Sequence, residues 1–152
     1  MQKATKKVVI TSGYFNPLHI GHINLISEAK KLGDYLIVIV NNDKQVKLKG
    51  SAPFMEEQER MEIIRALKHA DEVMLSIDVD DGYQSKSLEF LAKKFAGSEL
   101  IFAKGGDRNF DNLPECEKKV CCDFGIKVVN KVGGDKVQSS SWLIKNSIKA
   151  KK

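Results

Sequence analysis

Short apolar runs alternate along the chain with stretches whose apolar residues recur at helical spacing. Lys7 to Thr11 predicts a strand, and Ile20 to Leu32 predicts a helix with Ile23, Ile26 and Ala29 on one face and Gly33 as its stop. Tyr35 to Val40 is apolar without a break, the composition of a strand buried on both faces of a parallel sheet. Glu56 to Lys68 predicts a helix with an acidic first turn, which complements the positive end of the helix dipole. Beyond it the pattern predicts strands at Glu72 to Leu75, Leu100 to Ala103 and Lys127 to Asn130. Helices are predicted between and after them, at Ser85 to Phe95, Pro114 to Phe124 and Ser139 to Ala150. This βαβα series predicts one α/β domain over residues 1–152, built on a doubly wound, five-stranded parallel sheet with strand one central.

Composition narrows the function classes. Hydrophobic residues make up 42% and charged residues 30%, the balance of a soluble globular protein. No apolar run approaches the roughly 20 residues needed to span a bilayer. The first apolar stretch runs straight into a turn containing glycine, so it reads as the first strand and not as a signal peptide. The net charge of +5 is compatible with nucleic acid, a membrane surface or small anions. Part of that excess sits in the tail KNSIKAKK, and no aromatic-basic recognition motif accompanies it, so neither nucleic acid nor membrane is expected as a partner. The three cysteines, Cys116, Cys121 and Cys122, include no CxxC pair. They argue against a disulfide framework and a zinc site, and they suit packing in a helix in a reducing cytoplasm.

The most informative segment is GYFNPLHIGH, Gly13 to His22, between the first predicted strand and the first helix. Gly13 permits a turn that a side chain would obstruct, and Pro17 stiffens the loop. His19 and His22 are three residues apart, so both can face one side as the loop winds into the helix. Free backbone N–H groups and the positive end of the dipole are expected beside them, which makes an anion site. A catalytic zinc would need a third protein ligand, and only the lone His69 is available.

GYFNPLHIGH resembles the HxGH signature of the nucleotidylyltransferase superfamily, whose branches include heptose-1-phosphate adenylyltransferases and glycerol-3-phosphate cytidylyltransferases. The resemblance covers most of the chain. AKKLGDYLIVIVNND is similar to the next segment of both branches. EEQERMEIIRALKHADEV resembles their following helix, whose functional arginine corresponds to Arg60. KGGDRN resembles the KGGD stretch of the heptose enzymes, and SSSWLI stands where the family has a small-hydroxyl motif. All these motifs fall beyond the carboxyl ends of predicted parallel strands, where open α/β sheets bind ligands.

The resemblance implies a Rossmann-like fold and a magnesium-dependent transfer of a nucleoside monophosphate, with release of pyrophosphate. The expected partners are ATP or CTP and a phosphorylated small molecule, with a sugar or polyol phosphate favoured. A homodimer is implied as well. Cytidylyl transfer to a phospho-alcohol and a non-catalytic nucleotide-binding regulator are the alternatives. His19 and His22 are implied to act at the triphosphate and the α-phosphorus, and Lys47 and Lys49 to hold the incoming phosphate or the leaving oxygens. Ser139, Ser140 and Ser141 are implied to hold the β- and γ-phosphates. Lys104, Gly106 and Asp107 would border the ribose and base. Gly13, Tyr14, Phe15, Asn16, Gly21 and Arg60 complete the expected nucleotide and phosphate site. Magnesium is expected to draw most of its ligands from the triphosphate, with no resident metal site in the protein.

Three departures from the family pattern bear on the branch. Tyr14 replaces a small residue, and Asn16 stands where many cytidylyltransferases have Asp. DKVQSSS lacks the arginine of the cytidylyltransferase RTxGIST pattern, with Lys136 as the available substitute. KGGD, Asn16-Pro17 and the missing arginine favour ATP over CTP.

Overall fold

Alternating buried faces on five strands organise the protein, a computed structural model of which describes residues 6–106, 108–134 and 138–150. The strands are β1 (Lys7–Gly13), β2 (Tyr35–Val40), β3 (Glu72–Leu75), β4 (Glu99–Ala103) and β5 (Lys127–Val129). They form one all-parallel sheet in the order β3-β2-β1-β4-β5, with β1 central as expected. The helices are α1 (Ile20–Lys30), α2 (Asp43–Leu48), α3 (Glu57–Arg65), α4 (Ser85–Lys94), α5 (Glu115–Phe124) and α6 (Ser140–Ala150).

Successive strand residues feed opposite layers. Val8, Ile10, Ile37, Ile39 and Phe102 pack with Leu88, Leu91 and Cys121 of α4 and α5. Val9, Leu36, Val38, Val40 and Ile101 pack on the other face with Ile26 and Ala29 of α1 and Met61 and Ile64 of α3. The unbroken apolar run of β2 is therefore buried on both sides, at about 1.5–3 kcal/mol for each large aliphatic side chain removed from water. All three cysteines are free thiols on α5. Among the described residues no helix is long and apolar enough to cross a membrane.

The element absent from the sequence reading is α2. Its segment, DKQVKL, is too polar and short to show a clear apolar period. Its start is set instead by a reciprocal cap: Asn42 Oδ1 accepts from Gln45 N at 2.9 Å, and Gln45 Oε1 accepts from Asn42 N at 3.1 Å. The helix also buries Val46 and Gln45.

The sheet order reverses at β1, which has β2 on one side and β4 on the other. The crevice beyond the carboxyl ends of these strands is where open parallel sheets place ligands. The loops after β1, β2, β3 and β4 all reach it.

Candidate active site

Two cavities open at this crevice. The first, of about 770 Å³, runs from the loop after β1 to the start of α6. The second, of about 640 Å³, runs from the same loop to the segment between β3 and α4. Both are lined by Gly13, Tyr14, Lys49, Lys104 and Arg108, so they meet there.

The loop after β1 is built around a buried ring. Phe15 is wholly buried, with a left-handed φ of 51° that few aromatic residues adopt. Its ring lies so close to Gly13 that a Cβ there would come within 2.8 Å of it. Gly13 is thus needed to let the ring in, and its own φ lies outside the left-handed region. The Phe15 ring then meets His22 edge-on, with centroids 4.8 Å apart. Phe15 lines neither cavity and acts as a support for the imidazole.

The histidine pair closes the first turn of α1 reciprocally. His19 Nδ1 accepts from Gly21 N at 3.1 Å, and His22 Nδ1 accepts from His19 N at 3.2 Å. These bonds occupy backbone donors that the sequence reading left free for an anion. They also set the tautomers: with Nδ1 accepting, each neutral ring carries its proton on Nε2. The rings stack with centroids 3.8 Å apart, and both line the first cavity. Burial, reinforced by the neighbouring His19, pushes the His22 pKa down to about 3. His22 is therefore uncharged near neutral pH, with its N–H at Nε2.

The three serines gather at the far side of the first cavity. Ser139 Oγ accepts from Trp142 N at 3.0 Å and so caps α6, and it lies 3.1 Å from Ser141 Oγ. Ser140 Oγ donates to the Pro17 carbonyl at 2.7 Å, which ties α6 to the histidine loop. Asn16 and Gly21 line the same cavity. The Asn16 amide is engaged by the loop after α2, accepting from Phe54 N and Met55 N and donating to the Ala52 carbonyl. No Asp or Glu lines this cavity among the described residues, whereas Lys49, Lys104, Arg108 and Lys145 do.

Arg60 is placed differently from the expectation of a phosphate contact. It is wholly buried and lines neither cavity. Its Nη1 donates to the carbonyls of Tyr14 and Asn41 at 2.7 and 2.6 Å, its Nε to Met55 O at 2.9 Å, and its Nη2 to Asp43 Oδ1 at 2.7 Å. A guanidinium whose donors are spent on three carbonyls and a carboxylate is a strut between the ends of β1 and β2. Lys47 also stands apart from its expected partner. On α2, residues two apart diverge by about 200°, so Lys47 is exposed and lines neither cavity. Lys49, at the end of the helix, lines both, with its Nζ 4.3 Å from the centre of the Tyr14 ring. Lys104 and Gly106 lie at the first cavity or its rim, and Lys104 is also shared with the second. Asp107 and Lys136 lie outside the described residues.

The second cavity was missed by the sequence reading. Asp80, Asp81, Gly82, Tyr83 and Gln84 form one wall, and Glu117 of α5 closes it. The Tyr14 hydroxyl would sit 2.7 Å from a Cβ on Gly82, so this departure from the family pattern forms the partition beside that wall. Burial, then the neighbouring Tyr83 and Asp81, raises the Tyr14 pKa. Burial also raises Glu117 and lowers Lys104, while the attraction between the two opposes both shifts. Arg108, inside the quoted KGGDRN, was the one available signal: a cation two residues beyond the glycine pair, shared by both cavities.

Similarity to known proteins agrees with this geometry. A family model described as Cytidylyltransferase-like matches residues 10–140, from β1 to the start of α6. The FAD synthase of Thermococcus sibiricus is 40% identical over 112 residues, 73% of this chain and 70% of that protein. The Bifunctional protein HldE of Desulfatibacillum aliphaticivorans is 32% identical over 136 residues; the match covers 88% of this chain and 24% of that longer protein. The crystal structure of the lipopolysaccharide core biosynthesis protein from Thermoplasma volcanium superposes with a TM-score of 0.66 at 30% identity, covering 82% of this chain and 95% of that one. The histidine loop, the parallel sheet that presents it and these relatives together make the chain a nucleotidyltransferase, and it belongs to the Cytidylyltransferase-like family.

Proposed function

We propose that the protein transfers AMP from ATP to a phosphorylated acceptor, with the nucleotide in the first cavity and the acceptor in the second. The carrying observation is that the two cavities meet at Gly13 and Tyr14 and share three cations, Lys49, Lys104 and Arg108. Two substrates that are both phosphorylated need a common cationic boundary at the point where they react.

In this reading a phosphate oxygen of the acceptor attacks the α-phosphorus of ATP. The new P–O bond forms as the bond between the α-phosphorus and the bridging oxygen breaks, and pyrophosphate leaves. The attacking oxygen is already ionised, so the protein contributes positioning and charge stabilisation. His19 and His22 donate from Nε2 to the phosphoryl oxygens. Ser139, Ser140 and Ser141 hold the departing phosphates, and Lys49, Lys104 and Arg108 offset the approach of two anions. Asn16, Gly13, Phe15 and Arg60 shape the loop that carries the histidines. Magnesium belongs to this reading as a partner of the triphosphate, lowering its charge. The cationic and hydroxyl lining of the first cavity suits an ion whose ligands are phosphate oxygens and water.

FMN is the first acceptor in this reading. The FAD synthase of Thermococcus sibiricus is matched over 70% of its length, and Tyr14, Tyr83, Leu48 and Leu113 offer the second cavity aromatic and apolar surface suited to a flavin ring. A sugar or polyol phosphate is the second reading, favoured by Asp80, Asp81, Gln84 and Glu117 in the same lining, which suit hydroxyl groups. The test is pyrophosphate release from ATP and from CTP with FMN, glucose 1-phosphate and glycerol 3-phosphate. The expected result is release from ATP with FMN. Release from CTP alone would overturn the nucleotide assignment, and release with a sugar phosphate but not FMN would decide for the second acceptor.

A further inference from the structure

Among the described residues, one buried side-chain polar atom has no hydrogen-bond partner: Gln84 Oε1. Gln84 is 2% exposed and lines the second cavity. A buried acceptor with no donor loses its hydration and gains nothing in return, so native proteins seldom keep one without a use. The surrounding wall is otherwise well bonded. Gln84 N donates to Glu117 Oε2 at 2.7 Å. Gln45 Nε2 reaches the carbonyls of Asp81 and Tyr83 at 3.1 and 3.0 Å, and Asn41 Nδ2 reaches that of Gly82 at 3.3 Å. The backbone up to Gln84 is thus held in place, while the end of its side chain stays uncommitted. Because no bond restrains Oε1, the terminal amide can turn toward an occupant without breaking a bond to that atom. Glu117, 3% exposed, adds a carboxyl group beside it, and both residues line only the second cavity.

We infer that Gln84 and Glu117 form the subsite that selects the acceptor, taking a hydrogen-bond donor on its body while Lys49, Lys104 and Arg108 take its phosphate. The shared chemistry is an N–H or O–H group remote from the phosphate, as in the ring imide of a flavin or the hydroxyls of a sugar. The inference rests on the reading that the second cavity holds the acceptor.

The test is calorimetric titration of the full chain and of the variants Gln84→Met and Glu117→Gln. The probes are ATP, FMN, FMN methylated at the ring imide, and glucose 1-phosphate. Gln84→Met keeps the backbone donor to Glu117 and removes the side-chain amide with its unpartnered Oε1. Whichever of FMN or glucose 1-phosphate binds the unmodified protein is expected to bind Gln84→Met about ten-fold more weakly, the scale of one lost hydrogen bond. ATP binding should be unchanged and the Tm no lower, because the variant no longer buries an unsatisfied acceptor. Glu117→Gln should likewise weaken the acceptor and spare ATP. If FMN is the ligand, imide methylation should weaken binding to the unmodified protein and make little difference in Gln84→Met. Equal weakening of FMN and its methylated form in that variant would point to another donor on the flavin and overturn the imide assignment. Unchanged acceptor binding in both variants would overturn the subsite. A shared fall in Tm and in ATP binding would also overturn it, as would failure of both acceptors to bind the unmodified protein. Acceptor binding without pyrophosphate release would count against the transfer reading and leave the subsite standing.

Discussion

The two cavities share a boundary but differ in framework: the histidine turn and the α6 cap of the first close locally, with Ser140 and Asn16 tying it to Pro17 and residues 52–55, whereas the backbone wall of the second is held mainly over long sequence distances. In the first, His19 is held by Gly21, His22 by His19, and Ser139 by Trp142, each within three residues. In the second, Asn41 holds Gly82, Gln45 holds Asp81 and Tyr83, and Gln84 leans on Glu117, over separations of 33 to 41 residues. Their charges differ as well. The first has cations and hydroxyls without a described carboxylate, whereas the second sets Asp80, Asp81 and Glu117 against the shared cations. The difference teaches that the turn carrying the histidine pair can be closed locally. The second cavity depends on a wall assembled from distant parts of the chain.

The largest effect is expected at the strut that joins the two halves. Arg60→Met removes four hydrogen bonds and leaves Asp43 without its partner, with a predicted loss of about 3–5 kcal/mol of stability. Chemical denaturation measures it, and a loss under ~1 kcal/mol would show that the strut holds little. Next comes the local half. His19→Asn keeps an acceptor at the helix N-cap and removes the imidazole donor, so turnover should fall ~100-fold or more while the fold persists. Full pyrophosphate release by this variant would remove His19 from the chemistry.

A smaller effect should separate the cavities. Gln45→Met leaves the carbonyls of Asp81 and Tyr83 without their side-chain donor and weakens the cap of α2, at a cost of about 1–3 kcal/mol. The acceptor KM should rise several-fold, roughly the effect of one such bond, with the ATP KM little changed. Equal changes in both constants would erase the distinction between local and distant construction. A further effect depends on pH. His22 has a folded pKa of about 3, below its ordinary 6.5. Between those values the unfolded chain binds a proton that the folded chain does not, so acid favours unfolding. This contribution to stability is present above pH 6.5 and is lost as the pH falls from 6.5 toward 3. Denaturation midpoints across that window should fall less steeply in His22→Asn than in the unmodified protein.

The same contrast explains what could be read from the residues. The five strands, their parallel arrangement and the central place of β1 were legible because a strand buried on both faces needs an unbroken apolar run, as in Tyr35 to Val40. The placing of the histidine pair at the start of α1 was legible within GYFNPLHIGH, whereas the ties of Tyr14, Asn16 and Pro17 to Arg60, residues 52–55 and Ser140 were not. Helix α2 was not, since a six-residue helix with two buried side chains carries little period. Without that helix, Lys47 and Lys49 looked equivalent.

By itself, the sequence determined the sheet, through apolar runs of a few residues, and the family, through the resemblance carried by GYFNPLHIGH and the motifs after it. Tertiary structure alone decided that Arg60, a charged residue on a helix with an acidic first turn, is wholly buried. The convergence of the Tyr14, Asn41 and Met55 carbonyls and the Asp43 carboxylate makes that burial tolerable. It likewise decided the wall of the second cavity. Asp80 to Gln84 take their shape from amides some 40 residues earlier, and their partners come within hydrogen-bond reach only once β2 and β3 lie side by side.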